Sequence, residues 1–453
     1  MQTQNSSMLQ GPVLRGVIRY TIPIILTSVL QLLFNAADLV VVGRFCGSIS
    51  VAAVGATGAI TNLIVNLFIG LSVGAGVTVA HAIGSREEEA IHRAVHTAMP
   101  VALVSGGVLT VVGITLAGKL LSLMGTPENV LPLSTMYMQI YFGGITFNMV
   151  YNFCASILRA AGDTKSPLIY LSLAGVINVV LNLIFVTVFH MNVAGVALAT
   201  IISQAVSAVL VAIALMRRKD ACRLYLKQMR FYRVQLLKMV RIGLPAGIQG
   251  SLFSISNVMI QSSINSFGDI FMSGNAAAAN IEGFVYTSMN AFSQTAVNYI
   301  GQNVGAHQYD RVKRVLACCL GCVFVTGAVM GVAAYGFGPQ LLSIYITDSE
   351  QAISYGMLRL AFMCLPYFLC GAMDVSTGAL RGMGASVEPM IISVLGICGF
   401  RIALITTIFQ IPAFHTPQCL FMSYPISWIL TFGAQILAFR RVYRKQTRMF
   451  AIQ

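Results

Sequence analysis

Long apolar stretches recur along the whole chain, separated by short polar, glycine- or proline-rich punctuation. A helix that crosses a bilayer needs about 20 mostly apolar residues. On that measure the pattern predicts twelve spans, at 16–42, 51–80, 94–118, 133–158, 166–189, 192–216, 238–264, 276–302, 315–337, 353–380, 387–409 and 415–439. The punctuation includes Gly-Ser-Arg-Glu-Glu-Glu at 84–89, Gly-Asp-Thr-Lys-Ser-Pro at 162–167 and Phe-Gly-Asp at 267–269. The expected fold class is an all-α polytopic membrane protein with twelve transmembrane helices.

Composition sharpens this reading. Of 453 residues, 57% are hydrophobic and only 9% are charged. A soluble protein carries about 25% charged residues, so a soluble multidomain enzyme is excluded. Disorder is excluded by the same apolar excess. The net charge of +14 first suggests nucleic acid or an anionic surface as partner. Its distribution says otherwise. With the N-terminus inside, 24 of the 28 Lys and Arg fall on inner segments, nine of them within 217–241. The outer loops keep only Arg44, Lys119 and Arg359, and Arg401 lies within a span. Positive loops stay on the cytoplasmic side. The expectation is a multi-pass protein of the plasma membrane, in bacteria the inner membrane, with both termini cytoplasmic and no nucleic-acid partner. Residues 1–15 are polar and lead into a long span, so no cleavable leader is expected. Cys318, Cys319 and Cys322 come nearest to a metal pattern, but no second Cys or His cluster completes four ligands. The cysteines read as packing residues.

The two halves repeat at an offset of 222 residues, pairing Pro23 with Pro245, Asn35 with Asn257, Arg159 with Arg381, Gly162 with Gly384 and Pro167 with Pro389. Each half holds six spans, so both halves enter from the same side and the repeats are related by an axis along the membrane normal. The expected domains are an N-terminal six-helix lobe (1–216), a basic cytoplasmic linker (217–237), a C-terminal six-helix lobe (238–440) and a cytoplasmic tail (441–453).

Eleven of the 14 acidic residues fall in loops or at helix ends, Asp348 among them. Asp38, Glu282 and Asp374 remain inside spans. A carboxylate there costs about 2.5–3.5 kcal/mol on insertion scales, so each needs a partner, a proton or an ion. The three are not copies: Asp38 faces Ile260 and Asp374 faces Asn152 across the repeat. A requirement of the fold would appear in both halves, so the asymmetry favours function. Asn178 and Asn182 share a helix face, and their depth, with that of Thr200, places all three near Asp38 in the outer half of the N-terminal bundle. That oxygen-rich set suits a small cation such as Na⁺, or Asp38 alone suits a proton. Pro23 is either a first-turn proline or, if its helix starts near Arg15, an internal hinge. Arg401 is either a counter-charge or a residue that reaches an interface. There is no phosphate-binding loop for ATP. The glycines at 70, 74 and 76 read as close helix packing, and His92 and His96 as solvated interface residues.

Four strings, QLLFNAADLVVVGR at 31–44, ILRAAGDTKSP at 157–167, YIGQNVGA at 299–306 and GALRGMG at 378–384, resemble the multidrug and toxic compound extrusion (MATE) family. The resemblance covers nearly the whole chain. It implies a pair of six-helix lobes in a V, and efflux of organic, often cationic or amphipathic compounds in exchange for Na⁺ or H⁺. No catalytic constellation appears, so no enzymatic activity is expected, nor any cofactor beyond the coupling ion; the expected partners are small organic substrates and membrane lipid, and the expected state is a monomer. Residue by residue, Asp38 matches the family's acid on the first span. Asn178 and Thr200 match members of the N-lobe cation site, and Tyr137 and Asn152 match polar lobe residues. Pro23 matches the bending proline, and Asp374 an acid on the tenth span. Asn182 departs from the pattern, standing where several members carry a second aspartate. Phe253 stands where one branch carries a glutamate, and Glu282 instead sits on the eighth span. The alternative reading is a lipid-linked glycan flippase of related architecture.

Overall fold

The computed structural model describes residues 6–347 and 349–452. Asp348 lies outside the described residues. Among those described there are helices and turns but no strand. After a short α1 (Ser6–Leu9), the first half runs through α2 (Val13–Phe45), α3 (Ser48–Ser85) and α4 (Glu88–Leu123). The fourth expected span is a pair, α5 (Leu131–Gly143) and α6 (Ile145–Ala160), parted at Gly144. Next, α7 (Lys165–Leu183) widens into an i→i+5 turn at Ile184–Val188, and α8 (Asn192–Met216) completes the half. The second half comprises α9 (Arg233–Asn265), α10 (Asp269–Gly305), α11 (Tyr309–Gly336), α12 (Gly338–Ser343), α13 (Glu350–Met363), α14 (Tyr367–Gly382), α15 (Val387–Ser393), α16 (Phe400–Thr406) and α17 (Pro417–Ile452).

Each of the twelve expected spans falls on a helix or a broken helix. Among the described residues, eight are long and apolar enough to cross a membrane, or nine when α13 and α14, bent by 47°, are counted as one span. Cys364, Leu365 and Pro366 form that break, where proline removes a backbone donor. The other three are the pair interrupted at Gly144 and the two long helices α9 and α10, which are rich in Ser, Asn and Gln.

The sequence repeat is also a backbone repeat. Gly162 and Gly384, matched at the 222 offset, both sit just past a helix end with φ of +90° and +80°. Only glycine adopts that conformation without strain, and it closes helices for that reason. After the first of these turns, Asp163 accepts from the backbone N–H groups of Lys165 and Ser166 at 3.1 and 3.0 Å and so caps the start of α7.

Two compact units emerge, with boundaries that differ from the expected lobes. One contains Leu26–Ser251; the other contains Ser6–Ile25 and Leu252–Gln453. The chain therefore passes between units inside α2 and inside α9, rather than at the 217–237 linker. A continuous helix gives no polar signal at such a point, which is why apolar patterning misses it. Pro23 lies well inside α2, just before its crossing, and Pro245 inside α9, just before the other. The first-turn reading of Pro23 is thereby excluded.

In the first unit, glycines let α3 and α9 touch. A Cβ at Gly70 would fall on the backbone of Gly243 and Gly247, and one at Gly74 on Met239 and Gly243. The linker is strapped to α4. His96 is fully buried, not solvated as its sequence position suggested. Its Nε2 accepts from the Tyr225 N–H at 3.0 Å, while Nδ1 pairs with the His92 carbonyl at 2.7 Å. Thr97 accepts from the Tyr232 N–H at 3.2 Å, and His92 bonds Gln228 at 2.7 Å. Within the linker, Arg218 pairs with Asp220 at 2.5 Å, and burial pushes the neighbouring Cys222 thiol up to about 12. In the second unit the expected tail at 441–453 is instead the continuation of α17, helical to Ile452. Gln446 ties it down by donating to the Met383 carbonyl at 2.8 Å.

Candidate functional site

Within the unit of Leu26–Ser251, α2 carries Asp38, α7 carries Asn178 and Asn182 on one face, and α8 carries Thr200. The four come together. The Asn182 amide donates to an Asp38 carboxylate oxygen and to Asn178 Oδ1, the latter at 3.2 Å. Asn178 in turn donates to Thr200 Oγ1 and Ser203 Oγ, both at 3.4 Å. Asn182 is fully buried, and its own Oδ1 is buried without a hydrogen-bond partner. Such an orphan is uncommon in a packed interior. One amide away from a carboxylate, it is an acceptor that a proton or a cation would satisfy.

Asp38, Asn178, Thr200 and Ser203 open on a cavity of about 120 Å³, which Asn148, Tyr151 and Gln204 also line. Carboxylate, amide and hydroxyl oxygens are hard donors suited to Na⁺, and the carboxylate suits a proton. Ser203 was not singled out in the sequence. Its spacing of three from Thr200 on one helix was the available signal.

The remaining expected residues lie around this set or apart from it. Asn152 donates to the carbonyl and side chain of Asn148 at 2.9 and 3.0 Å, one residue removed from the cavity. Tyr137 stacks on Tyr141 and packs against Val41, Val42, Val186 and Val196. Pro23 belongs to the other unit.

In that other unit Glu282 on α10 is already paired. Arg359 on α13 meets its carboxylate at 2.8 and 2.9 Å, and Tyr367 donates to it at 3.0 Å. Arg359 also donates to Asn275 Oδ1 at 2.6 Å. This corrects the placement of Arg359 in an outer loop: it is 8% exposed within a helix. Asp374 on α14 has separate partners. Asn290 lies 3.5 Å from its carboxylate, the Tyr286 phenol is in reach, and Ser293 donates to its backbone carbonyl at 2.7 Å. Arg401 does not reach an interface. It is buried, donates to Ser427 at 3.1 Å and lies 4.0 Å over the Tyr424 ring. Its stabilisation comes from a ring face and a hydroxyl.

The MatE sequence profile matches residues 23–184 and again 245–407, the two starts standing 222 residues apart. The probable multidrug resistance protein YoeA of Bacillus subtilis is 28% identical over 396 residues, covering 86% of this chain and 85% of that protein. YpnP of the same organism, also described as a probable multidrug resistance protein, is 28% identical over 391 residues, with 85% and 86% covered. A solved structure of a multidrug resistance MATE family transporter of the MOP superfamily, in an outward-facing conformation, superposes with a TM-score of 0.90. It is 20% identical, and the match covers 99% of this chain and 100% of that one. At that identity the likeness is one of fold. None of these proteins is described as a glycan flippase.

Proposed function

The chain belongs to the MatE family of membrane transporters, and on that premise we propose that it is a multidrug exporter driven by entry of Na⁺ or H⁺ at Asp38. It is a carrier and not an enzyme. The observation that carries the reading is the Asp38 carboxylate, held by the Asn182 amide and facing a small polar cavity shared with Asn178 and Thr200. An ionised carboxylate at that depth is costly, so binding and release of a cation change the energy of the site by a large step. Export follows if the cation and the substrate favour different arrangements of the same helices. The names of the Bacillus relatives support organic drugs as substrates. The bacterial relatives support a plasma-membrane location, and the 24 basic residues of the inner segments support cytoplasmic termini; a monomer completes the proposal.

The test is efflux of a fluorescent organic cation from membrane vesicles, with the Na⁺ and proton gradients collapsed separately. Loss of efflux on collapse of one gradient is expected and names the ion. Efflux that persists with both collapsed contradicts cation coupling.

A further inference from the structure

The last three turns of α17 carry five cations, Arg440, Arg441, Arg444, Lys445 and Arg448, all exposed. At about 100° per residue they occupy one arc of about 140°, and Arg440 to Arg448 extends about 12 Å along the axis. The opposite face is anchored. Tyr443 is buried with the Lys313 ammonium 4.4 Å over its ring, Phe450 stacks on His307 at 4.6 Å, and Gln446 bonds Met383. The cations are therefore held in place along one ridge. They line a surface concavity of about 670 Å³ with Leu437 and Met449, and no carboxylate lines it. Among the described residues none of the five joins an ion pair.

Upstream, the same face of α17 is exposed and apolar, through Met422, Ile426, Ile429, Leu430 and Leu437. A face that turns from exposed aliphatic to exposed cationic along one helix has the profile of a bilayer, acyl chains first and headgroups next. A nucleic acid would use the cations and leave the aliphatic stripe without a partner.

We propose that this ridge is a binding site for the phosphate groups of anionic phospholipids, occupied from the leaflet it borders. Arginines at i, i+4 and i+8 present forks that match phosphate oxygens, and basic clusters at the end of a membrane helix attract anionic lipid.

The test is native mass spectrometry of the full chain released from detergent, counting retained lipid after incubation with phosphatidylglycerol or phosphatidylcholine. Retention of phosphatidylglycerol over phosphatidylcholine is expected. The Arg440→Gln/Arg444→Gln/Arg448→Gln variant should lose that retention by about tenfold or more, because each basic residue near the surface adds affinity. Arg217→Gln/Lys219→Gln, exposed on the linker, should keep it. Equal retention of both lipids, or equal loss in the two variants, overturns the proposal. Displacement of the lipid by inorganic phosphate or by a short RNA overturns it as well. Should the triple variant misfold, a photoreactive phosphatidylglycerol on the unaltered chain decides: crosslinks within 437–449 support the site, and their absence there refutes it.

Discussion

Arg359 closes an ion pair with Glu282 from 77 residues away, at 2.8 Å and out of solvent, with Tyr367 and Asn275 completing its hydrogen bonds. The pair joins α10, α13 and α14. It also gives one of the three membrane carboxylates a partner within the fold. Removing one partner leaves a buried charge, at about 3–5 kcal/mol. Arg359→Met alone should therefore lower the apparent melting temperature in detergent sharply. Adding Glu282→Gln should recover part of the loss and restore export. A stable double variant that does not export would assign Glu282 a role in transport.

In the N-terminal site the Asn182 amide donates to both Asp38 and Asn178. Asn182→Leu removes both bonds while keeping volume. Efflux should fall about tenfold, in line with the loss of a hydrogen bond to a charged group, and the melting temperature should fall, but less than in Arg359→Met. Unaltered efflux would detach Asn182 from the site.

Where α3 meets α9, the backbones leave no room for a side chain at Gly74. Gly74→Leu should destabilise the protein by at least the 1–3 kcal/mol typical of overpacking, about the least that backbone contact allows. Gly107→Ala, with open space around it, should have no such effect. Thermal unfolding of the two variants checks the contrast.

The strap on the linker hangs on His96, whose Nε2 must be unprotonated to accept from Tyr225. His96→Leu should speed trypsin cleavage at Arg223, Lys227 and Arg230 in detergent without touching other sites. An unchanged digestion pattern would show that the linker is held elsewhere.

Much of this architecture is legible in the sequence. Helix-length apolar runs mark spans because a bilayer demands them. Asn178 and Asn182 could be placed beside Asp38 because i and i+4 share a face, and Thr200 because its depth matched. Arg359 reads as a loop residue in the sequence because a cation is costly inside a span, and its partner Glu282 is too distant in sequence to signal a pair. The crossings inside α2 and α9 left no mark, since a helix that changes neighbours keeps the same periodicity. His96 looked solvated because it stands near a loop. Only the folded linker buries it.

Transport by Asp38→Asn, reconstituted in liposomes at matched protein content and driven by an imposed cation gradient, tests the central claim most directly. The substitution keeps size and removes the charge. Substrate binding with gradient-driven transport reduced to background is the result expected of a coupling carboxylate. Transport at the unaltered rate would contradict it.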